Sequence, residues 1–152
     1  VTLVLITCAH MTWAQTKNTT ITLVVNTAGI NQENVNQMTS FFDSNGNTSL
    51  PGDHSNFLSL VDLDKWVIWQ GQVGDLIQNP SDVVQITKIE KKAITGNKSL
   101  LKKDVYTGES IVKAKVKKKY EEGDESYAIY FTVTHDGIAE DYKIDPKIRI
   151  NN

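Results

Sequence analysis

A chain with one cysteine, Cys8, cannot close an internal disulfide, so its stability has to come from packing. Three histidines and that single thiol also leave few soft metal ligands, whereas a catalytic zinc wants three protein ligands converging on one point. His54 and His135 stand far apart in sequence, each beside an aspartate (Asp53, Asp136), and read as surface-loop residues. No Gly-x-Ser-x-Gly elbow and no glycine-rich phosphate loop occurs. Charge of one sign is lacking too: the net charge is -2, which argues against nucleic acid and against a strongly anionic partner. The charges are unevenly spread, with two lysines against six acids in residues 1–80 and fourteen cations against twelve acids in residues 81–152.

Long apolar runs are missing except at the start. Val1 to Ala9 is apolar and uncharged, and Thr12-Trp13-Ala14 ends in the small-residue pattern of a signal-peptidase site. Residues 1–14 are therefore expected to be a signal peptide that begins upstream of Val1, leaving residues 15–152 as one thiol-free domain. The run is too short for a membrane span. The competing expectation, lipidation at Cys8, wants a small residue before the cysteine, and Thr7 stands there.

What is present is β pattern. Thr20–Asn26, Phe57–Val61, Lys65–Gln70, Val83–Ile89, Ile111–Lys117, Tyr127–Val133, Tyr142–Ile144 and Lys147–Ile150 alternate or are rich in β-branched residues. Turn residues separate them: Asp62-Leu63-Asp64, Gly71 at the end of the third strand, Asn79-Pro80-Ser81, Gly96-Asn97 and the polar turn Glu121–Glu125. Asp136-Gly137 is the strongest hairpin signal, and Pro146 places the last strand at an edge or marks its start. Residues 27–55 are rich in Asn, Gln, Ser and Thr. They read mostly as one long surface loop, with Asn31–Met38 as a weak candidate helix, and a loop this long is a place to look for a binding face. Seven or eight short strands predict an all-β antiparallel sandwich, immunoglobulin-like or cupredoxin-like, with a closed barrel as the alternative.

Side-chain chemistry is sparse. Asp43, Asn45 and Asn47 place oxygens at every second position, as a calcium loop does, but the sixth and twelfth positions hold Thr48 and His54 instead of Gly and Glu. Lys113, Lys115, Lys117, Lys118 and Lys119 form a stripe, which on a strand more often guards an edge than binds an anion. Trp66 and Trp69 must point to opposite faces of one strand. One belongs in the core. The other, with Tyr130, is a candidate platform for stacking on a sugar ring.

The segments Tyr127–Phe131, Gly137 and Tyr142–Ile150, with the Trp69-Gln70-Gly71 strand end and the Asn-rich early loop, resemble small exported bacterial β-sandwich proteins of uncharacterised function. That resemblance implies fold and export and carries no site. Asp64–Trp69 is similar to the early core strand of cupredoxin-like domains, without the Cys and paired-His copper ligands. The Tyr-x-x-Asp-Pro ending at Tyr142–Pro146 resembles AidA/PixA-type inclusion-body sandwiches. The expectation is an exported, secreted or periplasmic or cell-surface module without enzymatic activity or cofactor. Its partner would be a glycan or a protein, not nucleic acid, and Trp66, Trp69 and Tyr130 are the candidate contacts. The alternative is a structural or self-assembling protein of the cell surface or matrix, and behind it an enzyme with an unrecognised site.

Overall fold

The computed structural model describes residues 16–151, so the expected signal peptide and Cys8 lie outside the described residues. Ten strands form: β1 (Thr19–Val25), β2 (Thr39–Asp43), β3 (Leu58–Val61), β4 (Trp66–Val73), β5 (Val83–Lys91), β6 (Val105–Thr107), β7 (Ile111–Lys115), β8 (Asp124–His135), β9 (Ile138–Ile144) and β10 (Lys147–Ile150). They build two packed sheets, ordered β2-β1-β4-β7 and β3-β10-β8-β5-β6, with β9 also on β8. The all-β sandwich is therefore as expected, with two corrections. There are ten strands, and both sheets are mixed, because β1 pairs β4 and β10 pairs β3 in parallel. No helix among the described residues is long and apolar enough to cross a membrane.

Strict alternation fixes which side chains go inward. On β7, Val112 and Ala114 are buried while Ile111 and Lys113 face out. On β8, Tyr127, Ile129, Phe131 and Val133 enter the core. This strand is long enough to serve three neighbours, pairing β5 on one side and β10 then β9 on the other. The β8–β9 hairpin turns on Asp136 (φ 49°) and Gly137 (φ 77°), the left-handed pair a two-residue type I′ turn needs.

Several local expectations are overturned. Gly71 does not end the third strand, since β4 runs on to Val73. A Cβ at Gly71 would lie 2.5 Å from both Cγ1 and O of Val84; glycine is required where β4 meets β5. Residues 27–55 are not one surface loop, because they contain β2 and bury Val35, Thr39, Phe41 and Asp43. Asn31–Met38 forms turns instead of a helix, with Asn31 Oδ1 accepting from the N–H groups of Glu33 and Asn34. Of the two readings of Pro146, the strand start holds, since β10 begins at the next residue, and the edge does not, for β10 lies between β3 and β8. Glu125, assigned to a turn, is a fully buried strand residue. It accepts from the N–H groups of Leu100 and Leu101, pinning that apolar segment. Burial pushes its carboxyl above the usual range, against those donors.

Candidate functional site

The two tryptophans do point apart. Trp69 is fully buried, edge-on to Tyr127 with ring centroids 5.5 Å apart, and its indole N–H donates to Tyr127 Oη at 3.0 Å. Trp66 lies on the outer face of the four-stranded sheet, 43% exposed, with Lys115 Nζ 5.3 Å from its ring centroid. Tyr130 belongs to the other sheet. It is flanked by Lys88 Nζ at 3.8 Å and Lys143 Nζ at 5.5 Å from the ring centroid, and its hydroxyl donates to Glu90 at 2.8 Å. The three aromatics therefore share no surface: one is core, and the other two are on different sheets.

The Asp43 loop has its own internal explanation. Asp43 Oδ1 accepts from the N–H groups of Asn45 (2.9 Å) and Asn47 (3.0 Å), and Oδ2 from Asn47 Nδ2 (2.9 Å) and the Ser59 hydroxyl (2.5 Å). Asn45 Nδ2 donates to the Leu60 carbonyl at 2.8 Å. The carboxylate thus faces hydrogen-bond donors, the arrangement of a structural Asx turn. His54 is not a surface residue. It is buried, with Nε2 2.7 Å from Thr39 Oγ1 and its ring edge-on to Phe41, and desolvation lowers its pKa.

His135 is the histidine that opens onto a cleft. The strand directions bring the ends of β1, β4 and β8 and the starts of β2, β5 and β9 to one end of the sandwich. Segments 26–38, 74–82 and 134–141 meet there. Asp82, buried at the start of β5, receives the Thr27 hydroxyl and, at 2.6 Å, His135 Nδ1. One carboxylate thereby ties the segment after β1 to the last residue of β8, across both sheets. Asp75 adds to this knot, accepting from Thr27 N (3.1 Å), Ala28 N (3.3 Å) and Asn79 Nδ2 (2.8 Å). The Thr27 hydroxyl, and to a lesser extent His135, holds Asp82 below the usual carboxylate range despite its burial. In return the Asp82 hydrogen bond raises the His135 pKa.

With Nδ1 committed to Asp82, Nε2 is the free side of the imidazole, 3.6 Å from Asp136 Oδ2. Beside it is a cleft of about 240 Å³ walled by Gly29, Ile30, Val133, Ile138, Glu140 and Tyr142. Tyr142 Oη lies 2.7 Å from Glu140 Oε2 and 3.2 Å from the Ile30 carbonyl, positioning Glu140 at the wall. Burial first, and Glu140 second, push the Tyr142 hydroxyl up to about 12. Ile138 and Ile77 are 67% and 93% exposed on this end. Among the described residues, the groups that His135 reaches are both carboxylates, and no cluster of three or more His, Cys, Asp or Glu could hold a metal ion. What the arrangement can do is hold an apolar group and complement a polar one. Its core link, Asp82 to His135, spans 53 residues of sequence, and no local pattern reports such a pair.

No family model matches the chain, and no curated protein sequence matches it. Among solved structures, its fold is similar to that of an inclusion body protein, PixA, from Burkholderia cenocepacia J2315, with a TM-score of 0.57 at 10% identity over 91% of this chain and 98% of that one. At the level of fold, this fits the PixA-type likeness of the Tyr142–Pro146 ending.

Proposed function

We propose that the chain is a non-enzymatic binding or interaction module whose binding face is the loop end of the sandwich. The observation that supports it is the cleft beside His135, with apolar walls and an imidazole fixed by a buried carboxylate. Concave, mostly apolar sites with a few oriented polar groups are the usual form of a ligand site. The surrounding exposed isoleucines suit a protein partner, because large exposed apolar side chains cluster at interaction surfaces. Export to the periplasm, the cell surface or the outside belongs to the same reading, supported by the leader-like residues 1–14 and by the resemblance to small exported bacterial sandwiches.

A second reading, a glycan stacking on the outer face of the four-stranded sheet, is favoured by the exposed ring of Trp66. Gln70, which donates to Thr22 Oγ1, lies on the same face. Thermal melting of the chain against soluble glycans, basic and acidic peptides and divalent cations tests both. A ligand that binds the folded state raises the melting temperature with dose. Loss of that rise in Ile138→Ser supports the loop end, and loss in Trp66→Ala supports the sheet face. No rise with any compound counts against the binding reading.

A further inference from the structure

The loop end is acidic, apart from His135 itself. Segments 26–38, 74–82 and 134–141 contain Glu33, Asp75, Asp82, Asp136, Glu140 and Asp141 and not one lysine or arginine. The chain's sixteen Lys and Arg residues all lie elsewhere. Asp75 and Asp82 are consumed by the Thr27 and His135 contacts, while Asp136, 3.6 Å from His135 Nε2, is largely exposed and Glu140 stands in the cleft wall. Ile30, Val133 and Ile138 supply apolar surface between them. A group that satisfies both features has an aliphatic stem and a cationic tip, which is how lysine and arginine side chains bury their length while keeping the charge at a polar rim.

Resting on the binding-module reading, we propose that this cleft receives a lysine or arginine side chain from a basic segment of a partner protein. The stem would lie against Ile30 and Ile138, and the charged head would meet Glu140 and Asp136. A second copy of this chain is a poorer occupant, because several of its lysines are already paired with its own acids. Lys115 and Lys118 both reach Asp64, Lys98 reaches Glu121, and Lys92 bonds Asp145.

The test is a titration of the full chain with a blocked tetralysine peptide, followed by amide and side-chain NMR shifts, with a tetraglutamate peptide as control. Shifts should centre on Ile30, His135, Ile138 and Glu140, and weaken as salt rises. Glu140→Gln, which keeps an acceptor for Tyr142, should weaken binding about threefold, the scale of one exposed ion pair. Glu121→Gln, at the opposite end, should leave it unchanged. Shifts centred elsewhere, or an equal loss in Glu121→Gln, overturn the proposal. So does self-association of the chain without peptide that Glu140→Gln abolishes, since that seats a second copy in the cleft. If tetralysine is silent while a neutral ligand shifts the same residues, the partner class is wrong and the binding module stands. If nothing shifts them, both readings fall.

Discussion

Truncating the two tryptophans separately should give very different results, although they stand three positions apart on one strand. Trp69 is fully buried against Tyr127, so Trp69→Ala loses a whole aromatic side chain from a packed core, at about 3–5 kcal/mol. It also leaves the buried Tyr127 hydroxyl without the indole donor, an orphaned group that costs about 1 kcal/mol more. Trp66 is half-exposed, with the Lys115 ammonium 5.3 Å from its ring centroid. Its cation–π contact is worth about 0.5–1 kcal/mol, and its backbone bond to Asn18 Oδ1 survives the substitution. The difference of at least about 2 kcal/mol is a large share of a domain stability of about 5–15 kcal/mol. Urea unfolding followed by far-UV circular dichroism measures it without relying on the deleted fluorophores. If the two variants fall within about 1 kcal/mol of each other, the assignment of Trp69 to the core and Trp66 to the outer face is wrong.

Other consequences are as direct. Gly71→Ala forces a methyl group against the Val84 backbone and should destabilise by about 1–3 kcal/mol, whereas Gly137→Ala should disturb only the hairpin; equal urea midpoints for the first variant and the parent would refute the close approach. Folded His54 has a pKa below its unfolded value because burial disfavours the cation. The unfolded chain therefore takes up the proton first, and stability is lost as the pH falls from about 6.5 through the folded pKa; His54→Gln should flatten that limb of a stability–pH curve. Glu125 works with the opposite sign: its folded pKa is raised, so stability falls as the pH rises from about 4.5 through the folded value, and Glu125→Gln should remove that fall. Asp82→Asn should lower the His135 pKa toward its ordinary value, read from the imidazole resonances.

The legible part of this fold was whatever repeats locally. Alternation marked β7 and β8, and the Asp136-Gly137 pair marked the hairpin, because one strand face or one turn states its requirement within a few residues. β2 was hidden because Thr39–Asp43 is five residues of polar and aromatic character inside an Asn- and Gln-rich stretch. β6 is only three residues long. Gly71 looked like punctuation because the approach of Val84 that requires glycine comes from another sheet. Glu125 looked solvated because its acidic neighbours are, while its partners, the amides of Leu100 and Leu101, are 25 and 24 residues away. The loop-end site was illegible for the same reason. Thr27, Asp82 and His135 are ordinary residues in turn-like surroundings until three segments fold to one end.

The most direct test of that site is an NMR map of whichever compound raises the melting temperature of the chain. Shifts are expected at Gly29, Ile30, His135, Ile138, Glu140 and Tyr142, with the outer sheet faces unmoved. Shifts confined to Trp66, Gln70 and Lys115, or to Tyr130 and its flanking lysines, would contradict it and move the binding face from the loop end to a sheet.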